Sequence, residues 1–208
     1  MIAIIDYDAG NTFNVQKAFA YIGLDAVLTA DPEVILNADG VLLPGVGAYA
    51  SAVAVLKERG LVDVLHEVVK REIPLLGICL GMQLLFEESE EYGPTPGLGL
   101  IHGKVKEIPR DLGLSVPHIG WNKNVVHYQD SPFSNVDDQY TYFVHSYYVD
   151  TDPEYIISTA NYGIDVPGVV ECGRVYGMQF HPEKSGIVGL NLLRTFGNIT
   201  EAYADSKK

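Results

Sequence analysis

Cys79 is the residue whose surroundings best suit chemistry. It follows the apolar run 73–78 and precedes a short helical pattern that begins at Leu80. A thiol at such a corner between a buried strand and a helix is placed as a nucleophile, and the small Gly77 and Gly81 suit the strained turn. Free N–H groups at the helix start also favour the thiolate. Taken alone, Cys79 could instead be a small buried apolar residue, so a base elsewhere must decide.

The segment Gln-Phe-His-Pro-Glu (179–183) offers the best base. His181 follows a strand-like run, and open α/β sheets gather their catalytic groups at the carboxyl ends of strands, where Cys79 is also expected. Pro182 stiffens the backbone, so the Glu183 carboxylate can reach the far imidazole nitrogen and stabilise the imidazolium. Each residue alone could be a core histidine or a surface glutamate. Together with Cys79 they predict a Cys-His-Glu triad.

The remaining polar residues point to no second kind of site. No group of His, Cys and carboxylates shows the spacing of metal ligands, so we predict neither a metal nor a cofactor. Three other histidines have no carboxylate placed as Glu183 is relative to His181, and they are expected to be structural or exposed. They are His66, His102 and His127.

Composition bounds the class of protein. The 208 residues, 47% of them hydrophobic, suit one α/β domain with a full core. The formal net charge of −13 repels phosphate backbones and argues against nucleic acid as a partner. Cys79 and Cys172 are too few for a disulfide framework, and a reactive thiol is expected in the reducing cytoplasm. The chain turns acidic at Asp6 and has no apolar run near ~18 residues, so we expect neither a signal peptide nor a membrane helix.

The elements that must position these residues change character along the chain. The first half alternates strand-like and helix-like patterns, which indicates βαβ units around a parallel sheet. Asn11 could cap the first helix. Beyond Glu88 the segments are shorter and β-rich, which predicts mixed or antiparallel sheet; a closing helix is predicted at 186–199, with a frayed polar end at 203–208. Strand-like runs lie at 2–6, 26–28, 40–43, 73–78, 98–108, 125–128, 140–144, 154–160 and 174–180.

The segments around Cys79 and His181 resemble those of a known family. The segments 77–83 and 179–183 resemble the two signatures of class I, or triad-type, glutamine amidotransferases. Three further segments narrow the resemblance to the glutaminase subunits of imidazole glycerol phosphate synthase, and Pro-His-Ile-Gly-Trp-Asn (117–122) is the most diagnostic. The other two are Asp-Tyr-Asp-Ala-Gly-Asn (6–11) and Tyr-Phe-Val-His-Ser-Tyr (142–147).

The resemblance covers almost the whole chain and carries several implications. It implies one glutamine amidotransferase domain over residues 1–208, with a flavodoxin-like α/β fold whose central sheet is mostly parallel, flanked by helices, and followed by a β-rich second half. It also implies that the thiolate attacks the carboxamide of L-glutamine, giving a thioester and ammonia. His181 then protonates the departing ammonia and activates water, while Glu183 orients it.

The developing oxyanion needs N–H donors. The family context points to the backbone of Leu80 and to one donor from Gly45, Val46 or Gly47. Without that context the 44–47 segment would be an ordinary turn. Its two glycines also permit a peptide flip, so we expect the loop to present its donor only in a competent conformation.

Substrate contacts are expected on two sides of the thiol. Gln83 lies one helical turn after Cys79 on the same face, so its amide can address the bound glutamine, although a solvent-facing glutamine would have the same spacing. The resemblance places the backbone of His145, Ser146 and Tyr147 near the amino-acid end of the substrate.

A partner is implied because ammonia released at neutral pH is protonated and ceases to be a nucleophile. By resemblance the partner is a (β/α)₈-barrel cyclase subunit, joined as a heterodimer. It uses ammonia to form imidazole glycerol phosphate and aminoimidazole carboxamide ribonucleotide in histidine biosynthesis. Aromatic residues typically anchor such surfaces, although Trp121 could also lie in the core. The predicted interface residues are Asn11, Trp121, Asn122, Tyr142 and Lys184.

Three alternatives stay open on the sequence. Another glutaminase, such as the partner of anthranilate synthase or pyridoxal phosphate synthase, would share the triad, but the 117–122 segment argues against it. A cysteine peptidase or chaperone of similar fold generally lacks an arrangement like His-Pro-Glu. A non-catalytic binding module would not need Cys79, His181 and Glu183 together.

Overall fold

The computed structural model describes residues 1–8 and 11–208, so Ala9 and Gly10 of the 6–11 segment lie outside the described residues. In the first half strands and helices alternate, as the sequence predicts. The elements are β1 (Ile2–Ile5), α1 (Thr12–Tyr21), β2 (Ala26–Thr29), α2 (Pro32–Leu36), β3 (Gly40–Leu43), α3 (Tyr49–Glu58), α4 (Leu61–Lys70), β4 (Leu75–Ile78) and α5 (Leu80–Leu84).

The second half is built mainly from strands and closes with one long helix. This confirms the predicted β-rich character of the segment beyond Glu88. Its elements are β5 (Glu88–Ser89), β6 (Thr95–Pro96), β7 (Lys104–Glu107), β8 (His118–Val126), β9 (Tyr140–His145), β10 (Tyr147–Asp150), β11 (Ile156–Asn161), β12 (Asp165–Cys172), β13 (Val175–Met178) and α6 (Gly186–Ser206).

A nine-stranded sheet forms the centre of the molecule, in the order β2-β1-β3-β4-β13-β12-β11-β8-β9. The strands from β2 to β13 are parallel, and those from β13 to β9 pair in antiparallel fashion. A smaller sheet has the order β10-β7-β5-β6. Because β13 lies parallel to β4 with Met178 opposite Ile78, the loops after these two strands begin side by side. This register brings the neighbourhood of His181 to Cys79.

Each face of the sheet buries its own apolar layer. In β1 all four residues are buried, as expected for a strand covered on both sides. Ala3 and Ile5 pack with the layer of α3 and α4, whereas Ile2 and Ile4 pack with the layer of α1 and α6. In α4 the buried side chains form one apolar stripe at helical spacing; they are Leu61, Val64, Leu65 and Val68.

Several predicted boundaries are wrong. No helix is predicted directly after the 44–47 loop, yet α3 lies there. The end of the chain is not frayed from Tyr203, because α6 continues to Ser206 and the Tyr203 hydroxyl donates to the Arg71 carbonyl at 3.1 Å. Asn11 occupies the position before α1, but its side chain makes no capping hydrogen bond with the described residues. Among the described residues no helix is long and apolar enough to cross a bilayer.

Candidate active site

Cys79 forms a strained corner between β4 and α5. Its backbone has φ 54° and ψ −110°, an arrangement that a non-glycine residue keeps only when its surroundings enforce it. The surroundings are tight, since a Cβ on Gly81 would lie 1.9 Å from the Leu43 carbonyl oxygen and one on Gly77 would lie 2.6 Å from the Gly81 oxygen. The prediction that small residues flank a sharp turn is therefore confirmed. The corner leaves the Cys79 side chain 7% exposed.

His181 and Glu183 lie together after β13. The His181 Nδ1–H donates to Glu183 Oε1 at 2.8 Å, and both side chains are buried. Burial by itself lowers the pKa of His181, but the neighbouring Cys79 sulfur and Glu183 carboxylate outweigh it and raise the pKa to about 9. Nε2 is buried without a well-formed hydrogen bond among the described residues. It is therefore the ring nitrogen left for proton exchange on the Cys79 side.

The 44–47 loop leads from β3 to α3. The Tyr7 hydroxyl donates to the Pro44 carbonyl at 2.6 Å and fixes the start of the loop. Gly45 is buried, and a Cβ there would lie within 2.9 Å of Gly81 N and of Leu80 Cβ, so this glycine serves close packing. Val46 is 43% exposed, and Gly47 has φ 102°, which favours glycine.

A cavity of about 420 Å³ joins these segments. It includes Cys79 and His181, most of the predicted oxyanion and substrate residues, and Lys184 from the predicted interface, but not Gly45. A larger cavity of about 590 Å³ lies at the small sheet and contains neither Cys79 nor His181. The smaller cavity is lined by Val46, Gly47, Cys79, Leu80, Gln83, Glu91, Tyr92, Val144, His145, Ser146, Tyr147, His181 and Lys184.

A thiol, an imidazole paired with a carboxylate and a set of backbone donors around one cavity suit attack on a carboxamide. A family model described as "Glutamine amidotransferase class-I" matches residues 3–196. The chain belongs to the class-I glutamine amidotransferase family. The family predicted from the two signature segments is thus confirmed.

Individual relatives of this amidotransferase agree with that assignment. The chain is 54% identical over 202 residues to a protein of Lactiplantibacillus plantarum named imidazole glycerol phosphate synthase subunit HisH, with 97% of each chain covered. It is 50% identical over 207 residues to the protein of the same name from Lacticaseibacillus casei, with 100% of each covered. A solved crystal structure of a glutamine amidotransferase matches with a TM-score of 0.76 at 18% identity, covering 97% of this chain and 100% of that chain. The structural likeness confirms the predicted fold.

Gln83 lies where the helical spacing predicts, one turn after Cys79, but its amide is already engaged. Its Nε2 donates to the Tyr147 carbonyl at 2.9 Å and to Gln179 Oε1 at 3.1 Å. Gln83 is 6% exposed, which excludes the solvent-facing alternative. In this amidotransferase Gln83 therefore connects α5 to β10 and to the strand end after β13.

The predicted substrate residue His145 belongs to a buried histidine pair. Nδ1 of His118 and Nε2 of His145 are 3.1 Å apart, and the His145 Nδ1–H donates to the Tyr147 carbonyl at 2.8 Å. Burial lowers the pKa of His145 to about 3 and that of His118 to about 4. Both rings are therefore neutral at pH 7. His118 also stacks on Tyr162, with ring centroids 3.8 Å apart.

Sequence reasoning missed two cavity residues and a sulfur contact. Glu91 and Tyr92 line the cavity from the segment between β5 and β6, and Glu91 Oε2 accepts a hydrogen bond from Tyr49 N at 2.5 Å. Gln179 Nε2 lies 3.9 Å from the Cys79 sulfur. Glu91 sits in an acidic stretch that is typical of a solvated surface, and Gln179 is adjacent to Cys79 only through strand register. His102 is exposed, in agreement with the prediction, and contacts the exposed Asp152 at 3.0 Å.

The predicted interface residues do not all share one face. Trp121 is 55% exposed, which excludes a core position, and its ring contacts Tyr142 edge-on with centroids 6.0 Å apart. Ile119, on the same face of β8, is 60% exposed. Asn122 points to the opposite face, because side chains alternate along a strand, and its Nδ2 donates to the Asn161 carbonyl at 2.8 Å.

Proposed function

We propose that this chain is the glutaminase subunit of an imidazole glycerol phosphate synthase and hydrolyses L-glutamine to glutamate and ammonia. One observation carries the proposal: a strained, buried Cys79 shares a cavity with a His181 ring that is held by Glu183. The two relatives that bear the synthase subunit name, each matched over nearly the whole chain, support this choice of enzyme.

The chemistry begins with attack of the Cys79 sulfur on the carboxamide carbon of glutamine. The tetrahedral intermediate collapses when the His181 Nε2–H gives its proton to the leaving nitrogen, which departs as ammonia and leaves a γ-glutamyl thioester. His181 then takes a proton from water, and the resulting hydroxide releases glutamate and restores the sulfur. The raised pKa of His181 favours its protonated form at pH 7, and Glu183 stabilises that imidazolium.

The oxyanion of the intermediate is stabilised by backbone donors. The N–H of Leu80, in the first turn of α5, has no partner within its helix. The second donor comes from the exposed Val46 or Gly47, whereas Gly45 only allows the loop to approach α5. Because Val46 lies between two glycines, its peptide can turn, and the loop presents its N–H only in the competent conformation.

The cavity also suits the zwitterionic end of glutamine. The Glu91 carboxylate can accept from the substrate ammonium, and the backbone of Ser146 and Tyr147 lies across the cavity for the carboxylate. Gln83 and His145 act from behind this backbone, since both donate to the Tyr147 carbonyl. Their role is to hold the backbone of Ser146 and Tyr147 in position.

The ammonia is passed to a (β/α)₈-barrel cyclase subunit in a heterodimer, in the cytoplasm, where both free cysteines stay reduced. The partner covers the exposed face of Trp121 and Tyr142, with Asn11 and Lys184 at its margin and Asn122 bracing β8 from behind. Tyr142 is well placed to transmit docking, because its carbonyl accepts from His181 N at 2.9 Å and its N–H donates to Ser185 Oγ at 3.0 Å.

The test is glutamate release from glutamine by the purified chain, alone and with a barrel cyclase subunit and its nucleotide ligand. We expect slow release by the chain alone and strong stimulation by the pair. Cys79→Ala should abolish release in both. Full activity of the free chain, or stimulation only by an anthranilate or pyridoxal phosphate synthase partner, would overturn the assignment.

A further inference from the structure

Gln179 is a buried polar residue that the mechanism above does not use. It directly follows β13, and the pairing of Met178 with Ile78 places it beside Cys79. The Cys79 backbone N–H donates to the Met178 carbonyl at 2.7 Å, which fixes the two strand ends against each other. Gln179 is fully buried, and its Nε2 lies 3.9 Å from the Cys79 sulfur. Its side chain therefore contacts the sulfur from the protein interior.

The Tyr147 carbonyl, acting through Gln83, determines which end of the Gln179 amide faces the sulfur. A backbone carbonyl can only accept, so Gln83 must turn its NH₂ group to Tyr147 at 2.9 Å. The same NH₂ group donates its second hydrogen to Gln179 Oε1 at 3.1 Å. Gln179 consequently has its own NH₂ group left for Cys79. A flip of either amide would set two donors or two acceptors against each other.

The groups around the sulfur favour opposite protonation states. The Val144 carbonyl lies 3.9 Å from the sulfur and can accept only from a thiol S–H. The Gln179 N–H can donate to the sulfur in either state, and such bonds are stronger to an anion than to a neutral atom. In a buried setting this difference is enlarged by the low local dielectric constant. Gln179 thus opposes Val144 and favours the thiolate.

We propose that Gln179 is a positioning residue whose amide N–H, oriented through Gln83 by the Tyr147 carbonyl, holds the Cys79 sulfur as a thiolate aimed into the cavity. The inference rests on the proposed function in taking Cys79 as the nucleophile. It assigns Gln83 a second task, which is to set the polarity of the contact on the sulfur.

Two substitutions distinguish the hydrogen bond that Gln179 donates to the sulfur from the space that its side chain fills. Gln179→Met keeps the length of the side chain but removes the donor. Gln179→Glu keeps an acceptor for Gln83 and turns an oxygen toward the sulfur. The readout is the rate constant for alkylation of Cys79 by iodoacetamide at pH 7, in a Cys172→Ala background so that one thiol reacts. We expect about a tenfold lower rate for Gln179→Met and a still lower rate for Gln179→Glu.

Turnover gives an independent readout. We expect kcat for glutamate release to fall by a similar factor in Gln179→Met while KM for glutamine stays unchanged, since the residue does not line the cavity. Thr200→Val is the matched control, because it also removes one buried side-chain hydrogen-bond donor, the Thr200 hydroxyl on the Gly197 carbonyl, but lies in α6 against Gly40. It should leave both rates at the wild-type value. Wild-type alkylation rates in folded Gln179→Met and Gln179→Glu would overturn the inference.

A measurement on the Cys172→Ala chain, which keeps Gln179 and has Cys79 as its one thiol, covers the case in which the Gln179 variants do not fold. The side-chain ¹H–¹⁵N resonance of Gln179 should move over the pH range in which the ultraviolet absorbance of the Cys79 thiolate appears. A resonance that stays fixed over that range would contradict the proposal. Neither alkylation nor this titration needs glutamine turnover. If the alkylation of Cys79 and the titration of the Gln179 resonance both give the expected results but the chain never releases glutamate, the proposed function is refuted. The proposed contact between Gln179 and the sulfur would still stand.

Discussion

The corner that carries Cys79 and the 44–47 loop border the same cavity, but they are packed very differently. At the corner, Gly81 lies so close to the Leu43 carbonyl that no Cβ fits, and Cys79 is held at φ 54°. In the loop, Val46 is 43% exposed and nothing lies within 4 Å of where a Cβ on Gly47 would be. The first segment is closely packed on all sides, whereas the second borders open space.

This difference separates two requirements of the reaction. A nucleophile profits from a fixed geometry, because reacting atoms must be aligned before attack. An oxyanion donor that can turn away gives control over turnover without any change to the nucleophile. The Tyr7 hydroxyl on the Pro44 carbonyl anchors the start of the loop, so we expect any movement to involve Val46 and Gly47.

The largest effect is expected from crowding the corner. Gly81→Ala places a Cβ 1.9 Å from the Leu43 oxygen, so we expect a loss of about 3 kcal/mol in the free energy of unfolding, together with the loss of glutaminase activity. Gly47→Ala is the matched control, since only its φ is unfavourable, and should cost about 1 kcal/mol. Urea denaturation measures both. Equal stability of the two variants would show that the corner is not the tighter segment.

Removing the loop donor should abolish turnover while the fold survives. Val46→Pro deletes the N–H of an exposed residue, so we expect glutamate release in the cyclase complex to fall about a hundredfold or more, as for other oxyanion donors. The free energy of unfolding should change by less than about 1 kcal/mol. Val46→Ala, which keeps the N–H, should retain most of the activity. Unchanged turnover in Val46→Pro would exclude this N–H as a donor.

The pH dependence of stability tests how firmly His181 is held beside the corner. Its folded-state pKa of about 9 lies above the ordinary value of 6.5. The stabilisation is therefore complete below pH 6.5 and is lost as the pH rises through about 9. We expect the free energy of unfolding to fall by an amount on the order of 2 kcal/mol over this range. His181→Asn should flatten that part of the profile, and an equally steep profile in the variant would show that the loss of stability does not come from the titration of His181.

The smallest effect on the isolated chain is expected at the exposed face of β8. Trp121→Ala should change the free energy of unfolding by less than about 0.5 kcal/mol, because the ring is half exposed. It should nevertheless weaken binding of the cyclase subunit by about 2 kcal/mol, as truncation of an aromatic anchor does. Asn122→Ala, on the opposite face, should leave this affinity nearly unchanged. Titration calorimetry of both variants decides whether the two faces differ in this way.

The catalytic candidates could be found from the sequence because their signals are local. The glycines around Cys79 mark a sharp turn, and the His-Pro-Glu order keeps a carboxylate within reach of the ring two residues away. The alternation of elements likewise predicts the βαβ half of the fold. In these cases the partners that decide the geometry are within a few residues of each other.

The remaining features depend on which strands become neighbours. Gln179 contacts the Cys79 sulfur only because β13 pairs with β4 in a particular register. Glu91 reaches the cavity only because the segment between β5 and β6 packs against the start of α3, where the Glu91 carboxylate accepts from Tyr49 N. Trp121 and Asn122 face opposite sides because both lie within β8, which begins well before the strand-like run predicted at 125–128. Short sequence patterns carry none of this information.

The most direct test of the account follows the thioester on Cys79 in a single turnover. Rapid quenching and mass spectrometry would measure the rate at which the γ-glutamyl adduct forms, first in the free chain and then in the complex with the cyclase subunit and its nucleotide ligand. A fixed nucleophile with a movable donor predicts an adduct on Cys79 in both, formed at least about tenfold faster in the complex. Equal rates in the two states, or an adduct that does not map to Cys79, would contradict it.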